Sequence, residues 1–133
     1  MSREIKFRGR GDNNWHYGGY TCLEGAEDAY ICGFGLTEPT DEGHQDNYIN
    51  TIPVDHETVG QYTGLQDRNG VDIFEDDILR TYQDGIIQII YSEDICAYES
   101  KSDIGSRSLY GYLPDSFEVI GNIHENPELL ENK

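Results

Sequence analysis

Glu75, Asp76 and Asp77 run together inside "VGQYTGLQDRNGVDIFEDDILR", residues 59–80, as the chain's one triplet of consecutive carboxylates. As hard oxygen donors they would suit calcium or magnesium. Successive residues of a strand alternate faces, however, so three neighbours converge on one ion only if a turn curls them. The spacing of a calcium-binding loop is also absent. The expected reading is therefore the corner between two strands, with the carboxylates facing water or bonded to nearby backbone N–H groups. A divalent-metal-dependent enzyme built on Glu75, Asp76 and Asp77 is the chemical alternative.

The other reactive side chains show no comparable grouping. His16, His44, His56 and His124 lie far apart and have no ligand spacing. Cys22, Cys32 and Cys96 form no Cys-x-x-Cys pair. An odd count of three does not describe a disulfide framework, and small buried hydrophobes are the expected role. The glycines of "GGY" and "GFG" match no phosphate loop and precede no helix. No catalytic residue and no cofactor is expected. Aromatic side chains are the remaining lead. Trp15, Tyr17, Tyr20, Tyr110 and Tyr112 exceed what a small core needs, and aromatics are enriched at protein interfaces. They are candidates for protein contact, against the plainer reading that they pack sheets together.

The elements that must position these residues read as strands. Ten tyrosines and four phenylalanines suit a pleated surface. "EIKFRGR" alternates, "DNNWHYGGYTC" is a turn followed by a strand, and "AYICGFGL" is a third strand. Residues 37–47 are almost without apolar content and read as a loop, and "YINTIPVD" as a short strand with Pro53 at its edge or end. Asn69-Gly70 supplies the positive φ angles of a tight hairpin, and Gln83-Asp84-Gly85 a second. "IIQIIY" is the expected central, best-buried strand. "AYESKSDIGSRSLYGYL" reads as a loop with a strand at its end, and "SFEVIGNIH" as the last strand. In "ENPELLENK", Asn126 can cap a short helix with Pro127 at its first position, leaving Leu129 and Leu130 to pack back on the sheet.

Charge narrows the function classes. With 26 acidic against 9 basic residues the formal net charge is −17. Phosphate backbones need clustered Lys and Arg, so direct nucleic-acid binding is not expected. Such a charge serves solvation alone or attracts a partner with a basic face. No apolar run approaches a membrane span, and no apolar segment of signal-peptide type opens the chain, so no membrane association and a cytoplasmic location are expected.

"IKFRG" near the start, "VGQYTGLQDRNGVDIFEDDILR" in the middle and "FEVIGNIHENPELL" near the end resemble the YopX family of bacteriophage and prophage proteins. The motifs cover roughly a third of the chain in the family's order. Arg10 and Asp76 depart from the family pattern, which has an aromatic and a glycine there. Asp76 is a mild departure, because Asp tolerates left-handed backbone. The resemblance implies a mainly β protein with a small SH3-like barrel in the C-terminal half, extra N-terminal strands and a short C-terminal helix. Its expected layout is one domain over 1–133: an N-terminal β segment (1–36), a loop-rich stretch (37–58), the barrel (59–125) and the helix (126–132). It carries over no catalytic residues. The expected function is a phage or prophage accessory protein acting by contact with protein partners or with itself as a homo-oligomer. An acidic decoy of nucleic acid, occupying a basic host protein, is a further alternative.

Overall fold

The computed structural model describes residues 4–22, 28–36, 47–82, 84–103, 105–109, 112 and 116–131. The chain forms two compact units, Ile5–Gly60 and Gln61–Lys133, the latter with Met1–Glu4.

The N-terminal unit is an antiparallel sheet of β1 (Phe7–Gly11), β2 (Asn14–Cys22), β3 (Asp28–Leu36) and β4 (Asn47–Asp55), in the order β4-β3-β2-β1. Asp12 and Asn13 join β1 to β2 with φ of 51° and 64°. Two positive-φ residues between paired Gly11 and Asn14 make the tight two-residue turn whose twist matches its strands. Although β3 and β2 lie between them in the order, β1 and β4 meet. A Cβ on Gly9 would stand 2.6 Å from Val54 Cγ2, so the sheet coils until β4 approaches β1. Inside the coil, Ala29, Ile31 and Val54 are buried, with Phe7, Tyr20 and Val59 against them. A 3₁₀ turn, His56–Thr58, follows β4, and Asp55 caps it by accepting from the Glu57 amide at 3.1 Å. Thr58 Oγ1 then accepts from the Arg10 amide at 2.8 Å, tying the turn to β1.

The strand expected at "YINTIPVD" within the loop-rich stretch is present as β4. Residues 37–46 lie outside the described residues, but β4 occupies nine residues and pairs with β3 along its length. Pro53 stands on this edge strand, where a missing N–H costs no ladder bond.

The C-terminal unit opens with β5 (Gly60–Gln66) and β6 (Asp72–Phe74), a hairpin. β7 (Asp77–Thr81), β8 (Gly85–Ser92), β9 (Ala97–Ser102), β10 (Gly105–Ser108) and β11 (Phe117–Asn122) form an antiparallel sheet in the order β10-β9-β8-β7-β11. Its core is Ile73, Leu79, Ile87, Ile89, Leu109, Tyr112 and Phe117. The architecture is mainly β, as expected, but the described strand ladder is open: β10 and β11 are its edges, and no strand pairing closes it into a barrel.

Three local expectations change. The strand β8 is central, yet only Ile87 and Ile89 are fully buried and Tyr91 is exposed; β7, with Asp77, Ile78 and Leu79 all buried, is the better-covered strand. Strands β9 and β10 pair as a hairpin where a loop was expected. Their alternation is hidden because the most inward residue, Ser100, is polar. The helix α1 (Glu128–Glu131) has four residues. Asn126 Oδ1 turns back towards the Asn122 amide at 3.4 Å and does not cap it, while Leu129 covers Gly121.

Candidate functional site

The acidic triplet occupies the tight link between β6 and β7, and each carboxylate goes a different way. Asp77 is 2% exposed and its Oδ2 accepts from the Phe74 amide at 2.8 Å, closing the link. Asp76 has φ of 72°, the left-handed conformation its type tolerates. Its amide donates to Ile89 O (2.8 Å) and its carbonyl accepts from the Ile123 amide (3.0 Å), so this one residue joins three segments. Its carboxylate takes Gln88 Nε2 at 3.3 Å and stands 3.6 Å from His124 Nε2. Glu75 is half-buried. Burial pushes its carboxyl above the ordinary carboxylate range, Asp76 adds to this, and a hydrogen bond to the Gln61 backbone opposes it. Among the described residues no three His, Cys, Asp or Glu side chains are placed to hold a metal ion. The triplet does the work of a corner.

A second carboxylate, Asp67, lies in the same sequence motif. Asp67 is 6% exposed. Its Oδ1 accepts from the amides of Asn69 (2.8 Å) and Val71 (2.9 Å), and its Oδ2 accepts from the Val119 amide at 2.9 Å. Three N–H groups thus converge on one carboxylate side chain, which welds the β5–β6 turn to β11. Gly70 has φ of 79° and Asn69 is not among the positive-φ residues. This is the three-residue turn with glycine in the left-handed position, not the two-residue Asn-Gly turn expected.

The aromatic candidates separate. Tyr17 is 56% exposed. Trp15 is half-buried, with the Arg8 guanidinium 4.5 Å and that of Arg10 5.8 Å from its ring centre. Tyr20 packs on Phe7 at 5.4 Å in the N-terminal core, and Tyr110 lies outside the described residues. Tyr112 is turned inward: its hydroxyl bonds Asp84 Oδ2 and lies 2.8 Å from Ser100 Oγ, and Arg107 crosses its ring at 5.4 Å while pairing with Asp84 at 3.4 Å. Burial, and then the hydrogen bond to Asp84, raise the Tyr112 pKa above its ordinary value. A phenol held more firmly protonated is a structural donor, not an activated one. Cys96 is exposed in the β8–β9 turn, where its thiol reaches Glu93 O at 3.5 Å, and Cys32 is half-buried and free.

What the fold brings together instead is a groove of about 260 Å³ lined by Arg68, Arg80, Thr81, Tyr82, Ser116, Phe117 and Glu118. Phe117 and Thr81 are buried and make its floor; Tyr82, at 81% exposure, stands on its rim. Register places Arg80 directly across from Glu118 on neighbouring strands. Arg68 reaches in from the β5–β6 turn, held by its own amide on Phe117 O at 3.2 Å. Its guanidinium lies 3.5 Å from Glu118 and 3.4 Å from the Tyr82 hydroxyl. A sequence signal for this site existed. Arg68 and Arg80 are the only basic residues between positions 11 and 100, and in so acidic a chain their convergence is worth asking about.

A family model described as YopX protein matches residues 6–131. The chain is also similar to the crystal structure of protein EF1440 from Enterococcus faecalis, with TM-score 0.59 and 27% identity over 97% of this chain and 99% of that one. The crystal structure of yopX from Bacillus subtilis shares the fold at TM-score 0.52 and 19% identity, over 96% of this chain and 97% of the other. No curated protein matches the chain.

Proposed function

Since the chain belongs to the YopX protein family, we propose that it is a non-enzymatic accessory protein, in the phage or prophage setting the family resemblance implies, that works by protein–protein contact through the C-terminal unit. The observation that carries this reading is the groove around Tyr82: a fully presented aromatic ring beside two guanidinium groups, on an otherwise acidic chain. Tyr and Arg are the side chains most enriched where binding energy concentrates. The carboxylates that could have served chemistry are engaged elsewhere. Asp67 and Asp77 hold backbone amides, and Asp76 holds Gln88 beside His124. An SH3-like closure of this unit belongs to the same proposal, and Asp67 supports it by fastening the β5–β6 hairpin onto β11.

Affinity capture on the immobilised wild-type chain, with Tyr82→Ser in parallel, tests the reading. A defined protein, or further copies of this chain, retained by wild type and lost from the variant is the expected result. Equal retention on both, or a strictly monomeric chain that retains nothing, overturns it. Repeating the capture at high salt separates a charge-driven partner, weakened by screening, from an apolar one.

A further inference from the structure

We infer that the Arg68–Arg80 groove is a carboxylate-binding site that takes the Asp or Glu side chain of a partner peptide, with basic residues of that peptide flanking the anchor. The inference rests on the protein-contact reading and names the chemistry the groove selects.

The charges at the groove do not cancel. Arg68 and Arg80 bring two positive charges and Glu118 one negative, which leaves one positive charge unmatched. Glu118 pairs with Arg68 at 3.5 Å. The Arg80 guanidinium, exposed on β7, has no hydrogen-bond or ion-pair partner among the described residues. An Arg fork is built to receive a planar oxyanion through two parallel N–H donors. The Tyr82 ring, exposed while its hydroxyl accepts from Arg68, can cover the stem of the incoming side chain, and Phe117 and Thr81 line the groove beneath it. Arg68 is pre-positioned by its backbone bond to Phe117 O and by the Tyr82 hydroxyl, so little ordering is required on binding. A space of about 260 Å³ falls just below the range of pockets that enclose whole small ligands. It suits one anchoring side chain of a peptide.

The surroundings decide the rest of the ligand. One unmatched positive charge fits a monoanion, whereas a phosphate brings closer to two negative charges. A nucleic-acid backbone would need a continued basic track, and Arg68 and Arg80 are the only Lys or Arg residues lining the groove. A wholly acidic peptide would be repelled by a chain of net charge −17. Basic flanks around a single carboxylate turn that same field into attraction.

The test uses the full chain, labelled with nitrogen-15, titrated with the peptide acetyl-Lys-Glu-Lys-amide while the Arg68 and Arg80 Nε–H signals are followed. Acetyl-Lys-Gln-Lys-amide and inorganic phosphate are the comparison probes. The expected result is saturable binding of the Glu peptide, weakened roughly tenfold or more by Arg80→Gln and strengthened by Glu118→Gln, which removes the competing carboxylate. Arg80 lies exposed on its strand, so the variant keeps its fold. No saturable shift, an equal response to the Gln peptide, or preference for phosphate overturns the inference. If the Glu peptide fails while Tyr82→Ser still abolishes partner capture, this inference falls and the protein-contact reading stands; if both fail, both fall.

Discussion

Removing the Asp67 carboxylate should cost the C-terminal unit a large share of its stability, and the structure sets the amount. Asp67→Ala deletes three charge-assisted hydrogen bonds, to the amides of Asn69, Val71 and Val119. Asn69 and Val71 are exposed residues, so their amides can turn to water and the loss there approaches the net value of a bond, about 1 kcal/mol each. Val119 is half-buried on β11, beneath the turn that Asp67 anchors. Leaving its amide unsatisfied costs about 1–3 kcal/mol. The sum is about 3–5 kcal/mol, against a total stability on the order of 5–15 kcal/mol for a domain. Asp67→Asn should cost less: its remaining oxygen can keep the Asn69 and Val71 bonds, while its NH₂ faces the Val119 donor. About 1.5–3 kcal/mol is expected. Asn69→Ala is the control, since only the Asn69 amide takes part in this cluster, and it should stay within about 0.5 kcal/mol. Because the chain has two units, the assay should report on one of them. Urea unfolding followed by the NMR signals of Leu79 and Ile87 does so without assuming a single transition. A loss below about 1 kcal/mol for Asp67→Ala would refute the reasoning, because the carboxylate would then not be holding β11 in solution.

Glu75→Gln should stabilise the protein at pH 7, since burial and Asp76 raise the Glu75 pKa in the folded chain. A raised carboxyl pKa means the folded state binds the proton more tightly, so stability is lost as pH rises above the unfolded value of about 4.5; the gain from Gln should vanish below that pH, and urea midpoints at pH 4 and 7 would show it. Tyr112→Phe removes the donor to Asp84 and should destabilise by about 1.5–3 kcal/mol, measured by the same unfolding assay. In the wild type, one tyrosine should titrate late in an absorbance titration, with stability falling as pH rises past about 10 because its folded pKa is raised. Gly11→Ala would drive a methyl group into the Pro53 carbonyl oxygen, a backbone atom that cannot step aside. A cost of about 1–3 kcal/mol in the N-terminal unit is expected, with loss of amide-exchange protection in β1 and β4 as its signature.

Much of the strand pattern could be read from residue order, because alternation and turn chemistry are local. The Asp12-Asn13 turn and the positive φ of Gly85 announce themselves within a few residues, whereas the alternation read from Ile5 does not hold: β1 begins at Phe7, Ile5 is exposed and Arg8 is buried. Asp76, standing where the resembled family has glycine, takes the left-handed backbone that Asp tolerates. The acidic triplet was legible as a corner for the same reason: alternation forbids three neighbours from converging. Strand β9 was not legible, since its buried residue is Ser100, whose hydroxyl is satisfied by Arg107 O and Tyr112 from farther along the chain.

Partners distant in sequence were decided by the tertiary structure alone. Asp67 looks like any turn aspartate until β11, 52 residues later, brings the Val119 amide to it. Tyr112 looks like a surface aromatic until Asp84 and Ser100 accept it into the core. Arg68, Arg80 and Glu118 become a groove only when antiparallel register sets Arg80 opposite Glu118 and the β5–β6 turn folds over them. Residue type and spacing determined where the backbone bends and which faces seek burial, because those preferences act over a few residues. Which charges meet was decided by pairing between strands, and such pairing is a property of the folded whole.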